Sequence, residues 1–415
     1  MKKQMLSGAI ILAFLIFCSS AYAADPLTLD EAKYLAIQNS REMSKSKIST
    51  DSARYKFYQA EKEYEDSDYP SSWDSYAGIV ADLTLLYNYK ATLDPMEDAT
   101  EIAKTNSEIN LKERAADQAL DQYYADLKQR DSIRKQMEDA EDTYEDAKLS
   151  QEKFEEELKY NIEQIYTDIL LQENKISTLQ KDMEYKKLLL EIEKKRLGLG
   201  VSSQETVGRF EEDYTNADHS LIEAKNSLKN IKGNLNDMMG RDYDEEISLK
   251  PIQTDLFKEI PTYDQILSKV LKESTKLSQI QRDIEKKEND LEDDLSDYTN
   301  DYKPYQEDLV RLEIKEMELQ LQDEKYRLKQ SINNLLASLD TKQKKYQLSQ
   351  IETNNAKRQY DWDKKRYEIG QISKNELTQS ELAYLNAKQG FLVTEFDLFL
   401  TKRSIDLLVD TGVVV

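Results

Sequence analysis

Two stretches of sequence, EKKRLGLGVSS (residues 193–203) and DKKRYEIGQIS (residues 363–373), decide the fold of this chain. They lie 170 residues apart, and each follows a long run without proline or glycine, residues 96–197 in the first case and 305–369 in the second. Each holds a glycine, Gly200 or Gly370, and glycine readily adopts the positive φ with which many helices end. The sequence therefore predicts two long helices, each followed by a tight turn.

The same 170-residue offset extends beyond the turns and indicates a duplicated unit. Isoleucines 162, 165 and 169 align with Ile332, Leu335 and Leu339, all at helical spacing. The starts of the two units, TLDE (residues 28–31) and TYDQ (residues 262–265), both have the form of a capping box, but they lie 234 residues apart. The first unit must therefore hold an insertion of 64 residues between about residues 67 and 134.

These patterns predict an all-α chain of long antiparallel coiled-coil helices in two tandem repeats. The predicted segments are a signal peptide (1–23), a first repeat with the insertion (24–241), a linker (242–261) and a second repeat (262–415). Within the insertion, residues 79–89 alternate as a strand would but fit a helix equally well. After the turns, we expect capping boxes that start at Ser202 and Ser373 to begin the returning helices.

Composition limits the possible functions. Residues 1–23 combine two lysines, an apolar run and Ala21-Tyr22-Ala23, a pattern typical of an export signal, and they contain the one cysteine of the sequence, Cys18. The net charge of −23 argues against nucleic acid as a partner. With one histidine and ten glycines, the chain offers few parts for a metal site, a cofactor site or a catalytic triad, so we expect no cofactor, no metal and no enzyme activity.

Two further stretches, LTLDEAKYLAIQNS (residues 27–40) and RYEIGQISKNELTQSELAYLNAKQGFL (residues 366–392), complete a resemblance. Together with the duplication and the paired turns, they resemble the TolC-like outer membrane efflux family. The resemblance implies a homotrimer in the cell envelope, whose helices form a hollow exit duct for type I secretion or multidrug efflux. The family's two β-strands per repeat are reduced or absent here. The two turns would be the tips that contact the adaptor protein of a pump, and the candidate contacts are Gly200, Val201, Ser203, Gly370, Ile372 and Ser373.

Two alternatives stay open at this stage. Any antiparallel coiled coil needs turns, and glycine relieves the strain of a positive φ without any partner. The chain could also be an exported, all-helical scaffold of the cell envelope without channel activity, which the missing strands and the long insertion favour.

Overall fold

The computed structural model describes residues 26–67, 71–254, 256, 259–296 and 305–412. The predicted signal peptide lies outside these ranges. The described chain is built from helices, and Leu27 and Leu249 form an isolated parallel bridge. The helices are α1 (Leu29–Asn39), α2 (Arg41–Glu65), α3 (Ser72–Ala91), α4 (Ala99–Gly198), α5 (Gln204–Met238), α6 (Tyr263–Glu273), α7 (Thr275–Ser296), α8 (Gln306–Glu368) and α9 (Lys374–Thr411).

The 100-residue helix α4 is the central helix of the first half. At about 1.5 Å per residue it is roughly 150 Å long, and α1, α2, α3 and α5 all pack along it. Helix α1 begins with the predicted capping box, in which Thr28 accepts from the Glu31 amide and Glu31 accepts from the Thr28 amide. The absence of proline and glycine allowed the sequence to predict nearly all of α4.

The first hydrophobic core forms where α1, α4 and α5 meet. Ile162, Tyr166 and Ile169 are fully buried there, against Leu235 of α5 and Met239, which directly follows α5. The Tyr166 hydroxyl donates to the carbonyl oxygens of Leu27 and Lys250, both at 2.7 Å. These bonds hold the two strands of the isolated bridge against the helices. Burial raises the pKa of Tyr166 to about 12.

The second half repeats this order with α6, α7, α8 and α9. Helix α6 begins with the second predicted capping box, formed by Thr262 and Gln265. Its core contains Ile332 and Leu339, which are the partners of Ile162 and Ile169 at the 170-residue offset. The residues that the sequence aligned therefore occupy corresponding cores.

A buried carboxylate joins the two halves. Glu163 of α4 is 1% exposed; it accepts from Arg403 of α9 at 3.0 Å and pairs with Lys33 of α1 at 2.6 Å. Because an isolated buried charge is costly, the two cations offset the burial of this carboxylate. The halves therefore share a charged contact as well as apolar packing.

The insertion forms a helical hairpin. Helix α3 runs antiparallel to the first part of α4, with Ser72 donating to Asp126 at 2.7 Å and Lys112 pairing with Asp82 at 2.6 Å. Residues 79–89 lie within α3, so the helical interpretation of that segment is correct and the strand interpretation is wrong. The physical reason is that Tyr76, Ile79, Leu83 and Leu86 share one face and pack on α4. Among the described helices, none combines the length and apolar character needed to cross a membrane.

Candidate functional site

The candidate site consists of the two turns that connect α4 to α5 and α8 to α9. We call residues 199–203 tip 1 and residues 369–373 tip 2. Gly200 has φ +74° and Gly370 has φ +75°, both in the left-handed region. At each tip the amide of the glycine donates to the third carbonyl back, and the next amide donates to the fifth, as in a Schellman motif.

Basic side chains lie at the C-terminal end of the helix that precedes each tip. Lys195 and Arg196 lie in the last turn of α4, and Lys365 and Arg366 lie in the last turn of α8. Cations at a helix C-terminus are stabilised by the partial negative charge of the free carbonyl groups. The repeated KKR triplet therefore supports the helix stop at both tips.

The helices that leave the tips start at equivalent serines. Ser203 accepts from the Thr206 amide at 3.1 Å, and Ser373 accepts from the Glu376 amide at 3.2 Å. At tip 2 the Ser373 amide also donates to Glu376, which completes the predicted capping box and lowers the pKa of Glu376.

The capping box predicted at Ser202 is wrong. The first residue of α5 is Gln204, so the residue that precedes the helix is Ser203, and Thr206 rather than Glu205 lies three residues later. Ser202 instead points back along α4 and donates to the buried carboxylate of Glu193.

Each tip has a buried acidic residue behind it. Glu193 also accepts from Arg196 at 3.3 Å. At tip 2 the equivalent residue, Asp363, accepts from Gln359 at 2.9 Å and from Arg366 at 3.3 Å. The Gln359 hydrogen bond, together with the Arg366 guanidinium, lowers the pKa of Asp363.

The exposed surface of the tips is aliphatic. Leu199 is 78% exposed, Ile369 is 69% exposed and Val201 is 61% exposed, whereas Ile372 is 9% exposed. The glycines and serines of the predicted set lie at the surface, but the Ile372 side chain is turned inward. Sequence reasoning missed Leu199 and Ile369, although both are aliphatic residues that precede the turn glycine at the 170-residue offset.

The two tips lie at the same end of the molecule. Helix α4 packs between α5 and α9, with Lys181 pairing with Glu381 at 3.1 Å and Gln379 donating to the Tyr185 hydroxyl at 2.9 Å. Lys181 is eight residues further from its turn than Glu381 is from its own. At 1.5 Å per residue, tip 1 therefore projects about 12 Å beyond tip 2.

Two solved structures share this arrangement of helices. CusC, whose crystal structures concern folding and transmembrane channel formation, matches with a TM-score of 0.55 at 11% identity, over 92% of this chain and 96% of its own. The TolC-like helical fold is the fold of this chain. A membrane protein from Pseudomonas aeruginosa also matches, with a TM-score of 0.52 at 12% identity, over 90% of this chain and 93% of its own.

At these identities the likeness concerns the TolC-like fold alone. No family model matches the sequence. No curated protein matches it either. In the described part of the chain, no three histidine, cysteine, aspartate or glutamate side chains are grouped so that they could hold a metal ion.

Proposed function

We propose that this protein is the exit-duct component of a TolC-like efflux or secretion system in the cell envelope. In this proposal the exported chain, built from repeats 24–241 and 262–415, forms a homotrimer and passes substrate without chemistry of its own. The observation that carries the proposal is the pair of capped tips, which end four side-by-side helices and expose Leu199, Val201 and Ile369 in a TolC-like fold.

Exposed apolar stripes on two opposite edges support a closed homo-oligomer. On one edge, α8 exposes Leu312, Leu319 and Tyr326 at seven-residue spacing. On the other, α2 exposes Ile48 and Tyr55 at the same spacing. Helix α4 contacts α2 and α9, and α7 joins α4 to α8 through ion pairs and packing, so the two stripes lie apart in one copy. Contact between unlike edges produces a ring when the rotation closes.

The tips are the surface that we propose for adaptor docking. Their backbone is fixed by the Schellman motifs, so an approaching partner meets ordered aliphatic side chains and little conformational entropy is lost on binding. Leu199 and Ile369 join the predicted contacts Gly200, Val201, Ser203, Gly370 and Ser373 in this role. Because it is buried, Ile372 supports tip 2 from behind.

Photo-crosslinking in the native cell tests the docking proposal. A photoreactive phenylalanine analogue replaces Leu199 in one variant and Ile369 in another, and mass spectrometry identifies the captured protein. We expect both positions to capture a membrane-fusion adaptor protein. Ile222, an exposed aliphatic residue on α5 far from the tip, is the matched control and should not capture it. Equal capture at Ile222, or no adaptor at either tip, would contradict the proposal.

A second candidate function is an exported coiled-coil scaffold without channel activity. The helical insertion favours it, because a long exposed hairpin suits a spacer between envelope components. The oligomeric mass distinguishes the two functions, since a duct needs a closed ring and a spacer does not.

A further inference from the structure

Helix α3 presents two adjacent seams of side chains. The first seam faces α4 and consists of partly buried residues at alternating four- and three-residue intervals, among them Tyr76, Ile79, Leu83 and Leu86. The second seam lies one residue later at every position, which places it about 100° further around the helix. Its members are all exposed: Trp73, Ala77, Val80, Thr84, Tyr87 and Ala91.

The second seam has the form of a coiled-coil contact. Its spacing of 4, 3, 4, 3 and 4 residues is the heptad spacing at which knobs enter the holes of a partner helix. It holds no charged residue. Tyr87 donates its hydroxyl to Glu113 of α4, which fixes its ring at the border between the seams. Large residues alternate with small ones, as interdigitating helices require.

Within one copy, α4 contacts this seam at its two aromatic residues, through Trp73 on Tyr123 and Tyr87 on Glu113, and the described chain leaves Ala77, Val80 and Thr84 exposed. Among the described helices, α4 is the one against which α3 packs extensively. Towards the start of α4, the last ion pair between α4 and α7 joins Lys135 and Asp290 at 2.8 Å. From Asp126, opposite Ser72, to its start at Ala99, α4 continues for about 40 Å at 1.5 Å per residue. The hairpin therefore extends beyond the described ends of α7 and α8, and no described helix of the same copy covers Val80 and its small neighbours.

Charge selects the partner. Residues 72–126 contain eleven acidic and four basic side chains, a net charge of −7, so anionic lipid surfaces would repel the hairpin. The outer face of α4 at this level exposes Arg114, Asp117 and Asp121 and does not match an uncharged seam. The α3 seam of a second copy does match, because two uncharged seams meet without a like-charge pair. When the rotation axis runs along the helices, as in a ring of copies around a duct, the α3 helices of different copies also run parallel, as a parallel coiled coil needs.

We propose that the α3 seam packs against the α3 seams of other copies and forms a parallel helical bundle at the end opposite the tips. This contact rests on the proposed homo-oligomer. The seam offers on the order of 300 Å² of apolar surface per copy, less than half of the ~800 Å² per partner in a typical stable interface. It therefore adds to the edge contacts of α2 and α8 and does not replace them.

A single cysteine tests the contact, since residues 24–415 contain none. In Val80→Cys the new thiols of neighbouring copies face each other across the seam. In the control, Ser75→Cys, the thiol is also exposed but lies about 140° around the helix. With a short bismaleimide linker, we expect at least a tenfold excess of crosslinked chains for Val80→Cys over Ser75→Cys. No crosslinking at Val80, or equal crosslinking at both positions, would overturn the proposal.

A second measurement keeps this contact distinct from the duct. Light scattering on residues 24–415 gives the oligomeric state independently of the linker. A trimer in which Val80→Cys does not crosslink would overturn the α3 contact and leave the duct standing. A dimer in which Val80→Cys crosslinks would support the α3 contact and contradict the duct. Sedimentation with phosphatidylcholine vesicles, without crosslinking, would identify a lipid surface as the occupant and also overturn the proposal.

Discussion

Tip 1 and tip 2 have the same backbone conformation, but different side-chain contacts pack each turn against the helices. Both turns have a glycine at φ near +75° and the same pair of backbone hydrogen bonds. Behind tip 1, Ser202 makes a polar tie to the buried Glu193. At the equivalent position of tip 2, Ile372 is buried instead.

The difference shows which features the turn itself requires. The glycine, the basic triplet and the capping serine are common to both tips, so they set where the helices stop and restart. The contact behind the turn varies, because either a charged hydrogen bond or apolar burial can fix the first residues of the returning helix. Substitutions at the two tips should therefore have effects of different size and different origin.

The largest effect is expected at Ile372. Ile372→Ala removes buried methyl and methylene groups and leaves space behind tip 2, at a cost of about 2 kcal/mol in local stability. Hydrogen exchange of the tip 2 amides, followed by mass spectrometry, measures this loss as faster exchange. Tip 1 serves as the internal control and should not change. Unchanged protection at tip 2 would mean that Ile372 does not support it.

The next largest effect is expected at the two glycines, whose left-handed conformation is common to both tips. Gly200→Val and Gly370→Val should each cost about 1–2 kcal/mol, because an L-residue is strained at positive φ. The space around both glycines is open, so a clash would not contribute.

Gly208 and Gly390 are matched controls for this strain. Both also have open surroundings, but they lie inside helices and their φ is not positive. Gly208→Ala and Gly390→Ala should therefore gain about 0.5–1 kcal/mol. Equal destabilisation by all four variants in thermal unfolding would refute the role of the left-handed turn.

A smaller effect is expected from loss of the hydrogen bond between Ser202 and Glu193. Ser202→Ala should cost about 1 kcal/mol, because the buried Glu193 loses one donor and keeps Arg196. A double-mutant cycle with Glu193→Gln isolates the coupling between the two side chains. If the two substitutions are strictly additive in exchange at tip 1, then the hydrogen bond does not stabilise the turn.

The smallest effect is the response of tip 2 to acid. The pKa of Asp363 is lower in the folded chain than its ordinary value, mainly because Gln359 donates to it, and the nearby Arg366 lowers it further. The stabilisation is therefore complete above the unfolded pKa of about 3.9, and it is lost as the pH falls through the lower folded value. Exchange at tip 2 should accelerate in that range, and Asp363→Asn should reduce the pH dependence to the part that comes from the Glu376 capping box. A variant that keeps the same dependence would exclude Asp363 as its source.

The sequence predicted the helices and turns well, because they depend on local chemistry. Proline-free runs, capping residues and the two glycines determine where α4, α8 and their turns begin and end. The error at Ser202 arose because two adjacent serines can both cap a helix. The 170-residue offset, which aligns Ser203 with Ser373, contained the signal that separates them.

The surface of the site was harder to predict, because exposure depends on how the returning helix packs. The sequence could not show that Ile372 points inward while Ile369, three residues earlier, points outward. The ambiguity of residues 79–89 had a local solution, since the four- and three-residue spacing through Tyr76 and Leu83 indicates a helix packed on a neighbour. The docking role of the tips and the division into repeats stay predictions.

The most direct test of the duct is the absolute mass of residues 24–415 in solution. If the unlike edges of α2 and α8 close into the proposed ring of three, multi-angle light scattering coupled to size exclusion should give three times the mass of one chain. Lysine substitutions at Leu319 and Tyr326, both exposed on α8, should reduce the mass without loss of helicity. A mass of one chain at every concentration would contradict the duct and favour the scaffold.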